Sequence, residues 1–161
     1  MTVSWKFLGA LLILLTAAWT AYSASLREKK KLSLLDAWIE LLFYVKGQID
    51  RYLTPRDGLL KNADPDLLQR CAGGIKNPPR KWEALLKCAK DSLDEESQKL
   101  LSAFLSELGE CYREEQLQRC EYYLSALQRV QETLTLEVPR RIKLDISLKI
   151  CGALAVTVLL W

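Results

Sequence analysis

The chain has 161 residues, 50% hydrophobic and 27% charged, with 23 Lys and Arg against 20 Asp and Glu and a formal net charge of +3. The two classes are segregated: no charged residue lies between Lys6 and Arg27 or after Lys149, so two apolar ends flank a charge-rich middle. Histidine is absent and none of the five cysteines (Cys71, Cys88, Cys111, Cys120, Cys151) forms a Cys-x-x-Cys pair, which excludes a close-spaced zinc site and leaves cysteine as core filler in a reducing compartment.

The first element is the uncharged run from Phe7 to Leu26, FLGALLILLTAAWTAYSASL. As a helix it spans roughly 30 Å, about one hydrocarbon core. Trp5 precedes it, and Trp19 and Tyr22 stand near its far end, where amphipathic rings favour a membrane interface. A cleaved signal peptide is the alternative, with Thr20-Ala21-Tyr22 or Ser23-Ala24-Ser25 near a cleavage site. The cluster Arg27, Lys29, Lys30 and Lys31 follows the run and outweighs Lys6, which by the positive-inside rule keeps that side cytoplasmic and favours an anchor.

The middle reads as helix throughout. Leu34, Leu35, Trp38, Ile39, Leu41, Leu42 and Val45 give Leu32 to Gln48 a broad 3.6-period face, buried on more than one side. Thr54-Pro55 and Asp64-Pro65 each place a capping side chain before a proline at the first helical position, predicting short helices over 55–62 and 65–72. Gly73-Gly74 ends the second. After the turn Lys76-Asn77-Pro78-Pro79, a helix runs from Arg80 to Leu93 with Trp82, Leu85, Leu86 and Ala89 on one side. Asp94 caps the next helix, with Glu95 and Glu96 in its first turn. Leu100, Leu101, Phe104, Leu105 and Leu108 form its stripe, and Gly109 stops it.

From Glu114 onward, Leu117, Cys120, Leu124, Leu127, Leu134 and Val138 recur at spacings of three and four, a seam for another helix that only Gln131 interrupts. Pro139 falls inside this helix, before Arg140, Arg141 and Lys143. The final run, Ile150 to Trp161, is about 18 Å long as a helix and reaches a bilayer's thickness only by extending back past Lys149, whose ammonium can snorkel. A buried or interfacial terminal helix is the alternative. The fold class is therefore all-α: a bundle of about six helices over 27–141, flanked by membrane helices over 1–26 and 142–161. Both basic clusters then put the middle inside and both termini outside.

No residue pattern predicts catalytic, cofactor-binding or metal-binding residues, and no cofactor is expected. Glu95 and Glu96 read as helix-start charges, and Gly73-Gly74 reads as a helix end rather than an anion nest. The two basic clusters read as topology signals that also meet anionic lipid. Nucleic acid is excluded as a partner because acids are interspersed with the bases. Function by protein binding remains, on the turn regions 54–65 and 73–80 and on Leu108 to Gln116, since loops on a rigid scaffold carry recognition. The candidate partner contacts are Tyr52, Thr54, Arg56, Asp57, Gly109, Arg113, Glu114, Glu115 and Gln116.

Several motifs, in order, resemble the stage III sporulation protein AB family of spore-forming Firmicutes. They are Lys6, Leu8 and Gly9 in the anchor; Tyr52-Leu53-Thr54-Pro55; Trp82-Glu83-Ala84-Leu85; Leu105-Ser106-Glu107-Leu108-Gly109 followed by Glu114, Glu115, Gln116 and Leu117; and Leu136 to Trp161. The sequence departs from the family at Cys111-Tyr112-Arg113-Glu114, where a serine-aspartate step is frequent. The resemblance implies a middle domain similar to the cytoplasmic domains of type II secretion inner-membrane platform proteins. It also implies a place in the outer forespore membrane with the middle in the mother-cell cytoplasm. The implied partners are a secretion-type ATPase of the same operon and other membrane proteins of the sporulation complex. A general membrane-tethered adaptor is the competing reading; a transporter or enzyme finds no intramembrane acid to support it.

Overall fold

A computed structural model describes residues 2–52 and 55–159; side chains outside the description are those of Asp57, Arg141, Asp145 and parts of both chain ends. The described residues form α1 (Thr2–Tyr52), α2 (Arg56–Leu59), α3 (Pro65–Cys71), α4 (Trp82–Ala89), a 3-10 turn (Lys90–Ser92), α5 (Glu95–Glu107) and α6 (Arg113–Leu159), with no strand among them. The all-α expectation holds. The chain divides into two units, one of residues 30–134 and one of residues 1–29 with 135–161.

Within 30–134, the broad apolar face of α1 is buried as its periodicity predicts. Ala37 and Ile39, about 200° apart around the helix, are both buried, and Trp38 between them is fully so. The α6 seam faces it. Asp36 accepts from Gln131, Lys46 meets Glu121 at 2.7 Å, and Arg113 meets Asp50 at 2.7 Å. Rising numbers in α1 meet falling numbers in α6, so the two helices are antiparallel. Gln131, the one break in the seam, thus has a polar partner on the facing helix. Phe104 of α5 closes the core against Tyr123 of α6, edge to face at 5.6 Å. A fully buried leucine such as Leu35 or Leu127 contributes about 1.5–3 kcal/mol by leaving water.

Local chemistry explains most element ends. Asp64 Oδ1 accepts from the Asp66 amide at 3.0 Å, with Pro65 at the first position of α3. The Gly74 and Gly73 amides then donate to the Gln69 and Arg70 carbonyls at 2.9 and 3.1 Å, a Schellman closure in which both glycines have positive φ. Asp94 Oδ2 caps α5 through the Ser97 amide at 2.9 Å.

Three expectations are corrected. Pro55 is the N-cap of α2 rather than its first residue, because its ψ of 153° is extended, and α2 ends at Leu59 instead of reaching position 62; the expected cap Thr54 lies outside the described residues. Helix α4 starts at Trp82 rather than Arg80, since Lys81 is extended and Arg80 is tied to the Lys61 carbonyl at 3.1 Å. Its end tightens into the 3-10 turn, where Gln98 Nε2 donates to the Lys90 and Leu93 carbonyls at 2.6 and 2.9 Å. Core filling by cysteine holds for Cys71 and Cys120, which are buried, whereas Cys88 and Cys151 are exposed.

In the other unit, residues 2–29 belong to α1 and residues 135–159 to α6, so each terminal run continues a long helix without a break. Pro139 lies inside α6 and, having no N–H, removes one rung of its hydrogen-bond ladder. Leu15, Trp19, Tyr22 and Leu26 on the first segment are exposed, as are Leu136, Leu144, Leu148 and Ile150 on the second. Among the described residues no helix is long and apolar enough to cross a membrane; the side chains of 7–14, the most apolar part of the first run, lie outside them.

Candidate partner-binding cleft

The end of α1, the start of α2 and the α5–α6 turn enclose an open cleft of about 360 Å³. Buried Ile49, Leu59 and Leu108 give it an apolar floor, and Arg56, Glu110 and Arg113 a charged rim. The α5–α6 turn is built around Gly109, whose φ of +88° suits a residue without a side chain. A Cβ at Gly109 would stand 3.4 Å from the Cβ of Arg56, so the two segments meet closely.

Gln116 fixes the turn. It is buried, and its side-chain carbonyl accepts from the Gly109 amide at 3.0 Å. One turn on, burial pushes the Cys120 thiol up to about 11, with Gln116 pulling it back. Arg113 Nη2 donates to both the carbonyl and the carboxylate of Asp50, at 2.6 and 2.7 Å, pinning the turn to α1. Beside this rim Tyr112 is 91% exposed. Bare aromatic side chains of this kind are enriched among residues that dominate protein interfaces.

Among the described residues no group of three or more His, Cys, Asp or Glu could hold a metal ion. The Cys71 thiol, which donates to the Ala37 carbonyl at 3.3 Å, is pushed up to about 12 by burial and is no nucleophile at neutral pH. The arrangement can bind and position a protein segment.

The family model for stage III sporulation protein AB matches residues 6–161. The chain belongs to that family. Comparison with curated proteins returns no match, and comparison with solved structures returns none. In this chain, two segments singled out on sequence, 54–65 and 108–116, meet at one cleft: Arg56 of the first lines it together with Gly109, Arg113 and Gln116 of the second.

The other predicted contacts of the family member are scattered around the cleft or away from it. Tyr52 is 68% exposed at the end of α1. Thr54 and the side chain of Asp57 lie outside the described residues. Glu114 is exposed. Glu115 pairs with Arg119 at 2.8 Å, a hydrogen bond that holds its carboxyl below the usual range. Gly73 and Gly74, in the third predicted region, close α3 and do not line this cleft. Of the predicted lipid-facing cations, Arg27, Lys29, Lys30, Arg140 and Lys143 are exposed and Lys31 is half-buried; the Arg141 side chain is outside the description. Sequence reasoning missed Ile49 and Asp50. Asp50 is 63 residues from Arg113, and no local pattern links them.

Proposed function

We propose that this stage III sporulation protein AB family member is a non-enzymatic membrane platform in a sporulation-specific, secretion-like complex linking mother cell and forespore. Its central residues lie in the mother-cell cytoplasm and both termini lie across the outer forespore membrane. The cleft between α1, α2 and the α5–α6 turn receives a secretion-type ATPase of the same operon and couples it to the membrane assembly. The meeting of two recognition segments at one cleft, with an apolar floor and a charged rim, carries the binding part of this reading. Family membership supports the sporulation role. The uncharged run 7–26, bare Trp19 and Tyr22, and basic clusters at both inner boundaries support the membrane placement.

Two measurements test it. Single cysteines placed at Thr2, Ser92 and Trp161 in a background without the native cysteines are labelled in intact cells and opened vesicles. The position at 92 is expected to be shielded in intact cells while the two ends react from the other side. Tyr112→Ala and Glu110→Arg are expected to lower capture of the ATPase from sporulating cells while leaving the circular dichroism spectrum unchanged. Undiminished capture by both folded variants counts against this cleft.

A further inference from the structure

A second, larger cleft of about 600 Å³ lies where the end of α2 faces the start of α4. Leu60 and Trp82, both buried, stand in its walls, and Arg56, Lys61, Arg80 and Lys81 line it against a single carboxylate, Glu83. Several other cations in residues 30–134 have a carboxylate partner. Lys46 pairs with Glu121, Arg70 with Glu40, Lys99 with Glu95, and Arg119 with Glu107 and Glu115, all within 3.0 Å. None of the four cations in the cleft has a carboxylate within ion-pair distance among the described residues.

Of these cations, Arg80 is also held in place. Arg80 Nη1 donates to the Lys61 carbonyl at 3.1 Å, and Trp82 Nε1 donates to the Arg56 carbonyl at 3.3 Å, so hydrogen bonds lace the two sides together before any ligand arrives. The first turn of α4 opens beside them with no side chain capping it, because its N-cap is Lys81. Free amides at a helix start add to the positive potential. Like charges gathered without counter-charge repel one another, and an anionic ligand relieves the strain.

The chemistry of the site selects the ligand. A bare phosphate is bound best by a nest of backbone amides; here Pro78 and Pro79 bring no N–H, and residues 75–85 contain no glycine. The cations instead come from two separate stretches flanking an apolar wall, which suits an extended chain carrying several carboxylates. We propose that this cleft docks an acidic, extended segment of a partner protein, whose Asp and Glu side chains supply the missing counter-charges. The proposal does not rest on the ATPase-coupling reading, and Arg56, shared by both clefts, is left unaltered in its test so that the two can fail separately.

The test uses the full chain in phosphatidylcholine nanodiscs and fluorescence anisotropy of labelled short peptides, one alternating glutamate with alanine and one alternating lysine with alanine. The acidic peptide is expected to bind, the basic one not, with affinity falling as ionic strength rises from roughly 0.05 to 0.3 M. Lys61→Gln with Lys81→Gln keeps the Arg80 hydrogen bond and is expected to weaken binding about tenfold. Adding Arg80→Glu is expected to abolish it, and Tyr112→Ala to leave it unchanged. Equal affinity in the glutamine pair, which has no reason to unfold, overturns the proposal. So does an acidic peptide that fails to bind while phosphatidylglycerol vesicles or millimolar inorganic phosphate bind through the same lysines.

Discussion

Replacing Gly109 by alanine tests whether the α5–α6 turn, and with it the first cleft, depends on backbone that only glycine adopts freely. At a φ of +88° a side chain costs about 1–2 kcal/mol. The new Cβ would stand 3.4 Å from Arg56 Cβ, at the near limit of ordinary contact, and 3.7 Å from its Cδ; this adds at most about 1 kcal/mol. Removing glycine's freedom in the unfolded chain offsets about 0.4–1 kcal/mol, leaving a net loss of about 1–2 kcal/mol. Gly73→Ala is the control, because it has a φ of +71° and no atom within 4 Å of its new Cβ; its net loss is about 0.5–1 kcal/mol. Urea denaturation of both variants, followed by circular dichroism, reads the difference. A Gly109→Ala protein as stable as the parent, or less affected than Gly73→Ala, would falsify the close approach of the two segments.

Four further outcomes follow from the same geometry. Leu127→Ala empties a fully buried site between the long helices and should cost about 2–5 kcal/mol in the same assay. Asp64→Ala removes the α3 cap and should cost about 1 kcal/mol, with Asp64→Asn retaining most of the stability. Thiol labelling of the native protein should modify exposed Cys88 quickly and buried Cys71 and Cys120 only as fast as the bundle opens; rapid labelling of all three would contradict the packing. The Cys71 thiol titrates near 9.0 when unfolded and near 12 when folded. Between those values the unfolded chain has lost a proton that the folded chain keeps, so stability should fall as pH rises from about 9 toward 12. Cys71→Ala should flatten that fall, and an unchanged slope would remove Cys71 as its cause.

Much of the bundle is legible because its signals are local. Asp64-Pro65 and Asp94 start helices, Gly73-Gly74 and Gly109 stop them, and the three-and-four spacing of Leu117, Cys120, Leu124 and Leu127 marks the face of α6 that is buried. The merging of the first apolar run with the helix around Trp38 was also within reach, since Arg27, Glu28, Lys29, Lys30 and Lys31 are all good helix formers and nothing there breaks a helix. Thr54-Pro55 misled because a proline before a helix serves equally well as cap or first residue, and only its ψ decides. The first cleft was half legible: its turns were visible, but the Asp50–Arg113 bond depends on two helices meeting. The basic cleft was half legible too: Arg56, Lys61 and Arg80 lie in the turn regions 54–65 and 73–80, but Lys61 and Arg80 are 19 residues apart and become neighbours only through a backbone carbonyl.

The long-range bonds between α1 and α6 join residues 63 to 95 positions apart. A ribosome adding about 5–20 residues per second takes roughly 5–20 s to make the stretch between Asp36 and Gln131. Throughout that interval the Trp38 side of α1 waits for part of its cover, whatever the intervening helices have done. Final consolidation is therefore deferred until the last third of translation, and a chain cut short after α5 would be left with an apolar flank for chaperones and proteases to find.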